Sequence, residues 1–262
     1  MPSKKRRLTT ETGRRPSRTA ALKRAQTRSR RRSQRVVVPR DKLGFPTSMV
    51  STLRYVERVE FTPSSTTTAA WSFRANGMFD PYEGTGGHQP RGFDEMMDIY
   101  QTFTVTSSTC SVNWMLEGYD GPSQTGGTPA ALIKTFDEAT DAPAVPPVIC
   151  GIMRSSEGYG SGIPIQEQME KDRTNWKVLT PQTGGEITSA KSGLIDFFGK
   201  QDLVAADGYS GTAAADPENQ AHYHIFAARG SDDYPAGTVK VVAYVTIEYR
   251  ATFTEPKPLQ AS

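Results

Sequence analysis

Hydrophobic and polar positions alternate most clearly in residues 239–253. Val239, Val241, Ala243, Val245, Ile247, Tyr249, Ala251 and Phe253 hold the odd positions, and Lys240, Thr246, Glu248, Arg250 and Thr252 lie among the even ones. That period of two predicts a long, half-buried β-strand. Residues 53–61 alternate likewise, with Leu53, Tyr55, Val59 and Phe61 on one face. Ala69, Trp71, Phe73 and Ala75 alternate against Ser72 and Arg74. In residues 100–116 the parity changes: Phe103 and Val105 are odd, whereas Cys110, Val112, Trp114 and Leu116 are even. A one-residue slip turns every later side chain to the other face, so a bulge or break is expected at 107–109.

Shorter strands are expected at 147–153, 176–179, within 186–198 and at 222–228, separated by turn-rich runs such as DGPSQTGGTP. Two short helical patches interrupt them. Phe93, Met96, Met97 and Tyr100 are spaced i, i+3, i+4, i+7, and a second patch starts at Pro164 and carries Ile165 and Met169. No βαβ alternation is visible. The pattern predicts an all-β chain, a single jelly-roll sandwich of about eight antiparallel strands with short helices in its loops. The connections exceed hairpin lengths, which favours jelly-roll crossovers over an up-and-down barrel.

Composition adds a division that the alternation does not show. Of 31 Lys and Arg and 28 acids, 15 bases and one acid, Glu11, fall in residues 1–40. That segment therefore carries +14, and residues 41–262 carry −11. Two domains follow: a basic arm, 1–40, and a sandwich, 41–262, with residues 41–50 around Pro46 as the hinge. The arm has few apolar residues (Leu8, Ala20, Ala21, Leu22 and Ala25 are the ones in 4–35) and is expected to be disordered in isolation. Its basic residues are Lys4, Lys5, Arg6, Arg7, Arg14, Arg15, Arg18, Lys23, Arg24, Arg28, Arg30, Arg31, Arg32, Arg35 and Arg40. Arginine dominates, and the guanidinium binds phosphate in bidentate fashion and stacks on bases, so the expected partner is nucleic acid. No lipidation signal or bulky apolar face supports a membrane partner. KKRR and RSRRR also resemble nuclear localisation clusters, which makes a nuclear import receptor a compatible partner. The start MPSKKRRLTT has no apolar core behind its charges and is not read as a secretory signal.

Candidate chemistry is sparse. His222 and His224 flank Tyr223 on an expected strand, so both imidazoles face one side. Cupin-type jelly rolls bind metal with such a pair, but they add a glutamate shortly downstream, and here the next acid is Asp232. The pair is therefore read as two polar-face histidines, with no metal and no cofactor. The GTGGH run at 84–88 lacks the Lys-Ser/Thr of a phosphate loop, and no serine has a nucleophile-elbow context. Two cysteines exclude a disulfide framework, and Cys110 continues the apolar parity of its strand as a buried thiol. The pairs Asp94–Glu95 and Asp232–Asp233 are read as solvated charge or helix first-turn acids. No catalytic residue is assigned, and the chain is read as a non-enzyme.

One segment, residues 73–114, resembles a known family. Asn76-Gly77-Met78-Phe79-Asp80-Pro81, then His88-Gln89-Pro90, then Gly92-Phe93-Asp94-Glu95 and the strand from Tyr100 to Val105 are similar to capsid proteins of small circular single-stranded DNA viruses. The resemblance implies a shell protein that self-associates into an icosahedral capsid and packages single-stranded nucleic acid, DNA favoured over RNA. It implies a virion location, with the host nucleus during assembly. For a sixty-copy shell, the arms would bring about 840 positive charges. It gives residues 76–96 a structural role: a turn at Asn76 and Gly77, proline-stiffened loop, and a helix pinned by Phe93 and Met96. A rival reading is a non-viral nuclear protein that binds nucleic acid with its tail and a ligand with its sandwich. A second is a metal-dependent cupin-like enzyme.

The arm generates a direct test. Binding of the full-length chain to a single-stranded oligonucleotide, followed by fluorescence anisotropy, is expected to weaken with salt at a log–log slope of up to roughly −10, the limit in which every arm cation meets a phosphate.

Overall fold

In the computed structural model, residues 45–120, 145–183, 185–232 and 238–258 are described. The alternation at 239–253 becomes β9 (Thr238–Pro256), and the one at 53–61 becomes β1 (Ser48–Phe61). Between them lie β2 (Ala69–Arg74), α1 (Phe93–Ile99), β3 (Tyr100–Asp120), β4 (Val148–Ser155), α2 (Ile165–Glu170), β5 (Thr174–Leu179), β6 (Gly185–Gly193), α3 (Leu194–Phe198), β7 (Gly211–Thr212) and β8 (His222–Arg229).

The strands form two sheets. One runs β1-β9-β3-β6, with the two-residue β7 also on β3, and the other runs β2-β8-β4-β5. Their antiparallel pairings nest: β1 with β9, β2 with β8, β3 with β6 and β4 with β5. A chain doubled back as one long hairpin and then rolled up gives this nesting, and the cross-pairings of β3 with β9 and β4 with β8 join the turns of the roll. This is the strand order of a jelly roll.

The inner faces meet in one core. Tyr55, Phe73, Phe103, Trp114, Tyr223, Tyr249 and Phe253 are fully buried there. The polar tips of three of these rings are satisfied, as burial demands. The Trp114 Nε1–H donates to Thr188 Oγ1 at 2.8 Å. The Tyr223 hydroxyl, on one sheet, donates to the Ser108 carbonyl on the other at 3.0 Å. The Tyr249 hydroxyl reaches back across the sandwich to the Arg74 carbonyl at 2.8 Å. The two tyrosine bonds fix how the sheets lie on one another.

The parity change in β3 has its cause in a bulge. Val105 and Ser107 pair with the consecutive residues Ala251 and Arg250, leaving Thr106 as the extra residue. The bulge lies just before the expected 107–109. The Thr106 hydroxyl donates to the Arg250 carbonyl at 3.2 Å, filling the gap. Phe103 and Val105 before it, and Cys110, Val112 and Trp114 after it, are all buried.

The strand expected within 186–198 is present as β6, which ends at Gly193, and the residues that follow, Leu194–Phe198, are helical. Leu194, Phe197 and Phe198 stand at i, i+3 and i+4 and all meet the core, a period that a strand could not satisfy. Gly199, with φ 64°, closes that helix. The expected hinge at 41–50 overlaps β1, and Pro46 is tied to the body by the Tyr100 hydroxyl at 3.1 Å. Finally, β8 does not alternate: all eight residues are buried. Tyr223, Ile225 and Ala227 face the core, while Phe226 and Ala228 pack outward with Met153 and Ile165 beneath the 156–170 segment.

Gly151 sits where β4 crosses this layer. A Cβ there would fall 2.5 Å from the Asn175 carbonyl oxygen and 2.5 Å from Phe226 Cζ. Gly151→Ala is expected to destabilise the protein by about 1–3 kcal/mol, the range for overpacking, as measured by urea unfolding.

Candidate functional site

The fifteen basic residues expected to bind nucleic acid, Lys4 through Arg40, lie outside the described residues. So does the expected domain boundary at 40/41. The body's candidate chemistry falls into two polar groups, one where the chain leaves β2 and one on the outer face of β8.

The first is built from the 76–81 motif. After β2 the chain turns back on itself, and the Arg74 amide bonds the Pro81 carbonyl at 2.7 Å. The Asn76 side chain then locks onto the approach to β8. Its Nδ2–H donates to the Asn219 carbonyl at 2.8 Å, and its Oδ1 accepts from the Ala221 amide at 3.0 Å. Asp216 accepts from the amides of Phe79 at 3.1 Å and Asp80 at 3.2 Å. Arg74 lies between two carboxylates, 3.1 Å from Asp80 and 3.8 Å from Asp216. Gly77 is required by space, since a Cβ would meet Asp216 Oδ1 at 2.7 Å and Arg74 Cδ at 2.8 Å. Met78 is fully buried below.

The rest of the motif is structural as well. His88 stacks on Tyr55 with ring centroids 4.6 Å apart, and its Nδ1 lies 3.3 Å from Glu57. Phe93 packs edge-on against Phe103 at 5.4 Å, and Met96 is partly buried against the core. Asp94 and Glu95 occupy the first turn of α1. The segment staples β2, the 208–221 loop, β1 and β3 together. Sequence reasoning missed Asp216 and its role, because Phe79 and Asp80 are 137 and 136 residues away from it.

The second group is the histidine pair. His222 and His224 stack with centroids 5.5 Å apart, and both are buried rather than on a solvated polar face. The Glu157 carbonyl can only accept, so His224 Nε2 carries the proton and donates to it at 2.9 Å. His224 Nδ1 is then the acceptor for the Ser72 hydroxyl at 2.8 Å. Both nitrogens of His224 are used, and no group of three or more His, Cys, Asp or Glu among the described residues could hold a metal ion. Burial holds the His224 imidazole well below the ordinary range, at about 4, and lowers His222 also.

The remaining candidates resolve simply. Cys110 and Cys150 are buried free thiols. Burial pushes Cys110 far up and Cys150 up to about 12, so neither is a nucleophile at neutral pH. Asp232 accepts from the Thr66 amide at 2.9 Å and hydroxyl at 2.6 Å, bonds that hold its carboxyl below the usual value. Asp233 lies outside the described residues.

Neither a family model nor a curated protein matches the sequence. Among solved structures, the fold is similar to a chain of turnip yellow mosaic virus at 9% identity and TM-score 0.41, covering 87% of this chain and 90% of that one. It is similar to the Penaeus stylirostris densovirus capsid at 10% identity and TM-score 0.41, covering 86% and 91%. A tobacco necrosis virus chain matches at 12% identity and TM-score 0.36, covering 80% and 97%. The TM-scores lie below 0.5, and the jelly-roll assignment rests on the strand order itself.

The Asp216 carboxyl generates a pH test. Desolvation outweighs Arg74 and the two amides and raises it from 3.8 to about 6. A carboxyl raised in the folded state contributes stability below pH 4 that is lost as pH rises through 6. Asp216→Asn, which keeps an acceptor for the amides, is expected to remove this dependence. The wild type should lose up to about 3 kcal/mol relative to the variant between pH 4 and 7, in urea unfolding series at each pH.

Proposed function

We propose that this chain is a non-enzymatic capsid subunit that self-assembles into an icosahedral shell and packages a single-stranded genome through residues 1–40. The observation that carries the reading is the charge division: an arm of +14 joined to a body of −11 that folds as a jelly roll. A shell subunit needs a rigid wall that tiles and a cationic segment that neutralises phosphates, and the two tasks sit in separate parts of the chain.

Surface chemistry supports tiling. Met49, Val50 and Val56 are exposed on β1, Trp176 and Val178 on β5, and Ile187 on β6. These are edge strands on opposite sides of the sandwich. Apolar surface on both flanks suits head-to-tail contacts that close into rings. The similarity of residues 73–114 to capsid proteins of circular single-stranded DNA viruses favours DNA as cargo, a virion location and assembly in the host nucleus. The KKRR and RSRRR clusters fit a nuclear import receptor as a further partner.

Deletion of residues 1–40 tests the division of labour. The truncated body is expected to keep its circular dichroism spectrum and cooperative unfolding while losing nucleic-acid retention in filter binding. Salt-sensitive binding that survives the deletion would contradict the proposal.

A further inference from the structure

The loop after β4 crosses the outer face of the four-stranded sheet as a flap, residues 156–164, with Gly158, Gly160 and Gly162 among its nine residues. Gly162 adopts φ +74°, and a Cβ on Gly158 or Gly162 would meet nothing within 4 Å. Glycine at these points permits backbone rotations that a side chain would hinder. It is held shut by few side-chain bonds. The Tyr159 hydroxyl donates to Thr68 Oγ1 at 2.7 Å, and Thr68 donates to the Ile163 carbonyl at 2.9 Å. The Tyr159 hydroxyl also lies 3.3 Å from Gln168 Oε1, the Thr68 amide bonds the Ile163 carbonyl at 2.9 Å, and the His224 Nε2–H donates to the Glu157 carbonyl. The Tyr159 ring lies 5.3 Å from His224 and joins Met153, Phe226 and Ala228 in the outer apolar cluster.

His222 supplies an independent observation. It is 6% exposed, and neither ring nitrogen has a hydrogen-bond partner. An imidazole buried without partners is held by packing alone, here against His224, and gains hydration if it becomes exposed. A proton makes the imbalance larger, because two stacked imidazolium rings repel one another in a poorly solvated site. The groups that face the pair are Arg74 on β2, Glu83 in the turn after it, Glu157 and Tyr159 on the flap, and Lys171 after α2. Arg74, Lys171 and the neighbouring ring of the pair oppose protonation, and the Glu83 carboxylate and the Glu157 carbonyl favour it.

We propose that His222 and His224 form an acid-sensitive latch: neutral, they hold the 156–164 flap over the sheet, and protonated, they release it and bare the apolar face around Met153 and Phe226. The direction follows from linkage. A histidine depressed in the closed state stabilises that state above pH 6.5, and the contribution is lost as pH falls toward 4. Asp216 titrates nearby on Arg74 with the opposite sign, so a carboxyl-driven effect would run the other way. The inference does not depend on the capsid reading.

Hydrogen–deuterium exchange of the full-length chain, corrected for intrinsic rates, tests it between pH 7 and pH 4. Amides in 156–164 are expected to lose protection by on the order of a hundredfold, while those of β9 stay protected. His222→Phe keeps the ring stack, loses no hydrogen bond, and is expected to lower the pH at which the flap opens. His222→Phe with His224→Gln is expected to flatten the dependence. Flap protection that is unchanged across this range, that falls equally in the double variant, or that falls only together with β9 would overturn the latch.

Discussion

Every odd side chain of β9 from Val239 to Phe253 is buried, and its backbone bonds β1 along one edge and β3 along the other. This strand is the constraint on which the sandwich rests. It joins the first strand of the body to the third, and its Tyr249 reaches through the core to the backbone of β2 in the opposite sheet. Once the last strand lies beside the first, nested pairing is the arrangement that keeps the strand polar groups bonded and both inner faces covered. The bulge at Thr106 belongs to the same constraint. β3 changes the face it buries partway along, and the extra residue lets Phe103 and Trp114 both point inward against an unbroken β9.

A roll of this kind leaves the ends and the outer faces of the sheets to be closed by loops, and there the polar chemistry gathers. The Arg74–Asp80–Asp216 group and the Asn76 amide close one end, using side chains to satisfy a folded-back backbone that no strand can pair. The flap over His224 covers the outer face, which makes β8 buried on both sides. The two regions share β2: Arg74 belongs to the first and Ser72 to the second. Both fasten loops to the sandwich.

The legible part of the fold was the part governed by period. Alternation located β1, β3 and β9, and the parity change in β3 announced its bulge to within a residue or two. Spacing of i, i+3 and i+4 at Phe93, Met96 and Met97 gave α1. Leu194, Phe197 and Phe198 carry the same spacing, but they follow a strand without a break, and no helix was expected there. The burial of His222 and His224 was not legible, because it depends on a flap that arrives from another part of the chain. Asp216 was invisible for the same reason: its partners are remote in sequence and its own surroundings read as an ordinary turn. The division of charge, by contrast, needs no structure at all, and it carries most of the functional argument.

The proposed capsid subunit joins an acidic jelly-roll body to a cationic arm, and the proposal requires that many copies form a shell around nucleic acid. Sedimentation velocity of the full-length protein, with absorbance recorded at 260 and 280 nm across the boundary, tests that claim most directly. The account predicts a fast, homogeneous boundary rich in 260 nm absorbance. A slow boundary near the monomer mass, unchanged when single-stranded nucleic acid is supplied over a range of pH and salt, would contradict it.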